Sequence, residues 1–388
     1  MDSQPLAVIG GRVVPVRGPV IDGGVVLVAD GRISAIGDAG LPIPSNARVV
    51  DATGRWVLPG IVDAHSHIGT LEDGAGWAGD DHDESTDPVT ARIRALDAIN
   101  PADPAMRDAV AGGVLAVGVN PGSSNPIGGQ SIALRTHGAT VDEMVLAAPC
   151  GLKSALGENP KKAYGDKHRL PSTRMGTAAV IRQALTRARA YLAHPPESTD
   201  LDLEAIAMVL RREIPWRQHV HRTDDIATAL RIADEFGYRL VIDHGTEAAG
   251  LAAELAARGI PVILGPLIVA RSKNELRNRS LRTAGILAAA GVKVAIATDH
   301  PVVPVQFLPY QAALAVRDGL DPTVALEALT INPAEILGVA DRIGSLEPGK
   351  EANLCIWTGD PLDVMQRVEA AYVGGHEVYR HNPTMEQW

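Results

Sequence analysis

Pro59-Gly60-Ile61-Val62-Asp63-Ala64-His65-Ser66-His67 decides how this 388-residue chain is read. After the Leu58-Pro59-Gly60 turn, the apolar run predicts a buried strand that ends in two histidines separated by one residue. Residues i and i+2 of a strand point to the same face, so His65 and His67 can bring both imidazoles to one point. Two neutral imidazoles so placed make half of a divalent-metal site. The tripeptide alone fits two hydrogen-bonded histidines equally well, so the rest of the chain has to arbitrate.

Working outward, the middle of the chain alternates short apolar runs with helical patterns, as a βαβ array requires. Gln218-His219-Val220-His221 reads as the end of a fifth strand and residues 239–244 as a sixth. Residues 260–265 read as a seventh and 292–299 as an eighth, with Pro261 confined to a strand start. Asp225 to Phe236 has apolar residues at helical spacing. Asn332, Pro333 and Glu335 suggest the N-cap, N1 and N3 positions of a closing helix. The architecture expected is a (β/α)8 TIM barrel over residues 59–344, with its functional groups at the strand C-termini. Strands two to four are not legible, and the Gly- and Asp-rich stretches 69–87 and 118–129 read as long functional loops. Both ends of the chain look all-β. Asp30-Gly31 suits a type I′ hairpin between Val25–Ala29 and Ile33–Ile36. Residues 1–58 and 345–388 are expected to join in one small β-sandwich, because neither end can build a core alone.

Composition narrows the function. Apolar residues make up 46% and charged residues 21%, as in an ordinary soluble domain. With only 3% aromatic residues, the core must rest on Ala, Val, Leu and Ile. A net charge of −10 without a basic run argues against nucleic acid. No apolar run is long enough to span a bilayer, and Met-Asp-Ser-Gln-Pro lacks the n- and h-regions of a secretory signal. Cys150 and Cys355 are far apart in sequence and are expected as unpaired thiols. A cytoplasmic protein with a small-molecule substrate, and no nucleic-acid or membrane partner, is the expectation.

The later strands end in good metal donors: His219, His244 and Asp299. Each alone could be a buried histidine or a helix-capping aspartate, but together they stand in barrel order. Val62-Asp63-Ala64-His65-Ser66-His67, His219-Val220-His221, Asp243-His244-Gly245 and Ala297-Thr298-Asp299-His300 together resemble the amidohydrolase superfamily, nearest its imidazolonepropionase-like branch. Residues 332–338 and 344–350 resemble that superfamily's closing helix and its return to the sandwich. The resemblance implies one or two divalent metals, zinc first and manganese or iron as alternatives, held by His65, His67, His219, His244 and Asp299. It favours His219 over His221 as the fifth-strand ligand. It also implies two candidate bridges: Lys153, if carbamylated as in hydantoinases, or Glu158, as in deacetylases. A mononuclear site would need neither. A homo-oligomer is a family-based expectation.

Such a metal lowers the pKa of bound water to about 7 and polarises a carbonyl. Asp299 is then expected as the base, and His244 as a ligand of a second metal or a stabiliser of the oxyanion. Gln130, His221, Arg222, Arg271 and His300 are candidate substrate contacts, with His82, Asp83 and Glu84 as a gate. The expected activity is hydrolysis of a C–N bond in a small cyclic amide of the imidazolone, imide or hydantoin type. The alternatives are a prolidase-like dipeptidase, an N-acyl amino acid deacylase or a heterocycle deaminase. A catalytically silent scaffold is the non-enzyme alternative.

Overall fold

Two eight-stranded sheets organise the computed structural model, which describes residues 4–382. The first sheet opens with β1 (Leu6–Val13), β2 (Ile21–Ala29), β3 (Arg32–Gly37), β4 (Arg48–Asp51) and β5 (Trp56–Pro59). β2 and β3 form the expected hairpin, and Asp30 and Gly31 take φ angles of 50° and 74°. Those positive values are what a type I′ turn needs. β1 pairs with β4 through Leu6–Ile9 and with β5 through Arg12 and Val13. Gly10, at φ 76°, lies between the two pairings, and a Cβ there would meet Thr53 Oγ1 at 2.6 Å.

The second sheet is the barrel: β6 (Ile61–Ser66), β7 (Val114–Val119), β8 (Ile127–Arg135), β9 (Val145–Ala155), β10 (Trp216–Val220), β11 (Leu240–His244), β12 (Val262–Leu264) and β13 (Val294–Ile296). The strands expected as five to eight are β10 to β13, parallel and fully buried. Burial on both faces is why they read as apolar runs without alternation. One strand departs from the (β/α)8 expectation, since β8 is antiparallel to both β7 and β9. Hairpin-like links replace crossover helices there, with only the short helix Val141–Met144 between β8 and β9. The loop expected over 118–129 is strand at both ends for the same reason. Reversal places the beginning of β8 at the barrel mouth, where Ile127 faces Ser154 and Gly129 faces Lys153.

Val62, Ala64, Ala116, Ala133, Val241, Ile263 and Ala295 pack with Leu337 and Ile343 in the barrel interior. The outward set, including Ile242, Val262, Leu264 and Ile296, packs against the surrounding helices. The barrel closes through the site itself: Asp299 N–H donates to His65 O at 3.0 Å and His67 N–H to His300 O at 2.9 Å. The closing helix spans Ile331–Ile336 with Thr330 as N-cap, so Asn332 is not its cap. Asn332 instead spends its side-chain amide on Val294 O at the base of β13, a tertiary acceptor that local sequence does not reveal.

The chain returns to the first sheet through β14 (Leu354–Trp357), β15 (Val368–Val373) and β16 (His376–Arg380), with β14 antiparallel to β5. Val8, Val26, Val57, Leu354, Ile356 and Tyr372 share one buried core, so both termini are needed to form it. Cys150 and Cys355 are buried free thiols. Among the described residues, no helix is long and apolar enough to cross a membrane.

Candidate metal centre

His65, His67, His219, His244 and Asp299, from four separate strand ends, converge at the barrel mouth. His65 Nε2 and His67 Nε2 each lie 3.4 Å from Asp299 Oδ1. The rings of His244 and His219 are 4.4 Å apart, and those of His244 and His65 4.6 Å. Two donor groups result, His219–His221–His244 and His65–His244–Asp299, with His244 common to both. The preference for His219 over His221 is therefore not reproduced by geometry, because both rings reach the first group.

Backbone form makes this convergence possible. Alternation alone would send Asp243 and His244 to opposite faces, and His244 takes φ 72°, in the left-handed region. Asp299 takes φ 55°. β6 has a register irregularity between Asp63 and Ser66, so Ala64 packs inside the barrel and the next residue, His65, also reaches the centre. Strained backbone held by surrounding structure is characteristic of functional sites.

Hydrogen bonds set the tautomers. A carbonyl can only accept, so His67 Nδ1–H donates to Asn120 O and His244 Nδ1–H to Gly265 O, each at 2.8 Å. Both Nε2 lone pairs are thereby left for the centre, as in metal-bound histidines oriented by a second partner. Burial pushes His244 down to about 3 and lowers His219 and His221 well below the usual range, with neighbouring imidazoles adding to the effect on both. The three rings are neutral at pH 7. His219 Nδ1 and His221 Nε2 are buried without a hydrogen-bond partner. Orphaned neutral nitrogens beside a carboxylate fit a divalent cation of the zinc class. Burial would raise the pKa of Asp299, but His244, His65 and His67 hold it well below the ordinary value.

Of the two candidate bridges, Lys153 is the one with a side-chain contact to a histidine of the centre. Lys153 is 1% exposed and its Nζ lies 3.2 Å from His65 Nε2. Burial pulls its pKa down to about 8 against the attraction of Asp243 and Asp299. Glu158 begins the helix Glu158–Gly165 and gives its backbone N–H to Glu275 Oε1. Its neighbour Asn159 lines the cavity instead.

The centre opens into a cavity of about 290 Å³ lined by His67, His82, Asn159, His221, Lys273 and Asp299, among others. Of the expected substrate contacts, His221 alone is there. Gln130 donates to Ala91 O and does not line the cavity. Arg222 is paired with Asp224 at 2.8 Å. Arg271 donates to Arg277 O. His300 is buried and accepts from Val305 N–H. The loop expected as a gate is pinned: Gly122 N–H donates to His82 O, Ser124 to Asp83, and Asn125 to Glu84 O.

A buried support lay outside the sequence reading. Arg217, 0% exposed, pairs with Asp243 at 2.8 Å, and Asp243 Oδ2 lies 3.4 Å from His65 Nδ1. Burial would raise Asp243, but Arg217 and then His65 hold it far below the carboxylate range. Asp63 accepts from Thr298 and from His65 N–H, tying β6 to the segment that carries Asp299; burial pushes it up to about 7. The signal was available: Arg217 stands two residues before His219, and Asp243 directly before His244.

Comparison with known proteins adds to this geometry. Residues 144–378 match the amidohydrolase family. An amidohydrolase structure from Thermotoga maritima MSB8 superposes with a TM-score of 0.94 at 45% identity, covering 97% of this chain and 100% of that one. The imidazolonepropionase of Acidiphilium cryptum strain JF-5 is 27% identical over 373 residues, 89% of each chain. Amidohydrolase tasK of Hapsidospora irregularis is 29% identical over 378 residues. The match takes in 88% of this chain but spans only 38% of that relative's length.

Proposed function

Because the chain belongs to the amidohydrolase family, whose hydrolases act on C–N bonds, we propose that it opens a small cyclic amide of the imidazolone, imide or hydantoin type. The observation that carries this reading is the buried junction of His65, His67, Lys153, His219, His244 and Asp299 at the floor of a cavity of about 290 Å³. That volume suits a small molecule. The imidazolonepropionase relatives, aligned over most of both chains, support the cyclic class.

His65, His67, His219, His244 and Asp299 would hold one or two divalent cations, zinc by donor chemistry, with Lys153 as the bridge once carbamylated. A cation held there supplies an activated water and polarises the scissile carbonyl. Asp299 takes the proton of the attacking water and returns it to the departing nitrogen. Its depressed pKa keeps it ionised and ready to accept. Its carboxylate lies at the boundary of the buried centre and the cavity, where a substrate carbonyl can approach. His244, neutral at pH 7 with its Nδ1–H given to Gly265 O, would offer its Nε2 lone pair to a second cation and has no proton there for a developing oxyanion. Arg217 and Asp243 hold His65 in place from beneath.

Elemental analysis of purified protein, followed by hydrolysis assays on imidazolones, cyclic imides, hydantoins, Xaa-Pro dipeptides and N-acyl amino acids, tests the reading. Turnover of a cyclic amide, lost with chelator and restored by Zn²⁺ or Mn²⁺, is the expected result. Turnover of only the linear substrates would overturn the cyclic assignment, and a chain that holds no metal after reconstitution would overturn the mechanism.

A further inference from the structure

Among the described residues, Lys273 is the one lysine or arginine lining the cavity. Its side chain is only 25% exposed, whereas Arg271 and Arg277 on the same loop are exposed. Its Nζ donates to Asn159 Oδ1 at 3.3 Å and lies 3.7 Å from Glu275 Oε2. An ammonium has three N–H donors, so one remains for the cavity. The pair with Glu275 is loose: Glu275 Oε1 is taken by Glu158 N–H and by Arg174, itself paired with Asp225 at 2.9 Å, and the 3.7 Å to Oε2 is beyond hydrogen-bond range. Asn159 spans the gap to the centre, its amide nitrogen facing His219 Nε2 at 3.4 Å. The ammonium therefore stands two short contacts from a metal-ligating ring.

His82, which lines the same cavity, has acidic neighbours. Its Nδ1 lies 2.5 Å from Asp80 and its Nε2 3.4 Å from Asp83, with its ring 5.3 Å from that of His67. Leu71, Pro266, Val269 and Leu276 add apolar lining to the cavity. A substrate with an uncharged body and one anionic end would be turned with that end away from the aspartates and toward Lys273.

We propose that Lys273 is the specificity-determining cation of this site, receiving a carboxylate that the amide substrate carries a few bonds from its scissile carbonyl. The assignment rests on the hydrolase reading above and adds a substrate feature to it. A lysine meets a carboxylate as a point charge with charge-assisted hydrogen bonds.

The test uses hydantoin-5-acetic acid and hydantoin-5-acetamide, which share a ring and differ in charge. Each is titrated calorimetrically into metal-loaded wild type, Lys273→Met and Lys273→Arg, and its hydrolysis is measured in parallel. Wild type is expected to bind the acid more tightly than the amide by about 10- to 100-fold, the range for a hydrogen bond to a charged group. Lys273→Met should bring that ratio close to one, chiefly by weakening the acid, and Lys273→Arg should restore part of it. An equal loss for both probes would make Lys273 merely structural and overturn the proposal. So would a wild type that binds or cleaves both alike, while leaving the cyclic-amide reading intact. Binding of neither probe to metal-loaded wild type would overturn both.

Discussion

Replacing Lys153 by methionine removes an amine from the deepest part of the centre while keeping similar length and bulk. Lys153 is 1% exposed and 3.2 Å from His65 Nε2. Burial brings its pKa from 10.5 to about 8. At pH 7 an amine of pKa 8 is neutral in about one molecule in ten, against about one in three thousand at the unperturbed value. The site thus raises the supply of nucleophilic amine about 300-fold. That is the form able to add CO2, lose a proton and become an anionic oxygen ligand. The same shift has a cost in the metal-free protein. Below pH 8 the lysine is charged in both folded and unfolded chains, so the penalty of burying the ammonium is fully present. It fades as pH rises from 8 toward 10.5, and its full size is about 3 kcal/mol.

Elemental mass spectrometry after loading with Zn²⁺ and bicarbonate should give about two metals per chain for wild type and one or none for Lys153→Met. Intact mass of the wild type should include one added CO2. Metal-free Lys153→Met should melt above metal-free wild type at pH 7, and the gap should narrow at pH 9. Two metals with full turnover in the variant would refute the bridge. A metal-free variant melting below wild type at pH 7 would refute the account of the buried amine.

Asp299→Asn should lower kcat by about 10²–10⁴-fold, the usual share of a general base, while the metal is largely retained; wild-type-like turnover would sink the role. Asp243→Ala leaves the buried Arg217 guanidinium unpaired and frees the His65 ring, so a loss of about 3–5 kcal/mol in denaturant unfolding is expected. Competition with a chelating dye should show its metal affinity about 10- to 100-fold weaker, and unchanged affinity would remove Asp243 from the support of the centre. Gly265→Ala would set a Cβ 2.1 Å from Ala297 O, directly beside the carbonyl that orients His244. Overpacking at that contact should destabilise by about 1–3 kcal/mol and loosen metal binding, and a fully stable, fully loaded variant would contradict the close approach of β12 to the segment after β13.

Much of the fold was legible because its signals are local. Apolar runs ending in His219, His244 and Asp299 marked buried parallel strands, since a strand covered on both faces has no polar alternate. Asp30-Gly31 marked its hairpin because few residue pairs tolerate two positive φ angles in succession. β7 to β9 were illegible because β8 runs backwards, and without crossover helices the alternation of periods that announces a βαβ unit is missing. The N-cap assigned to Asn332 failed because a distant carbonyl, Val294 O, claimed the side chain.

For the site, residue type and spacing were enough to name the histidines and the aspartate, because imidazole and carboxylate chemistry is a property of the residue and i, i+2 parity a property of the strand. Choices between like candidates were different in kind. That Lys153 contacts His65, that Arg271 stays outside the cavity, and that the rings of His219 and His221 lie together each depend on which side chain the packed barrel turns inward. The Arg217–Asp243–His65 chain likewise forms only when three strands are brought side by side. Direction and burial arise from contacts between segments far apart in sequence, and that is why the tertiary structure, and not the order of residues, decided which side chains meet.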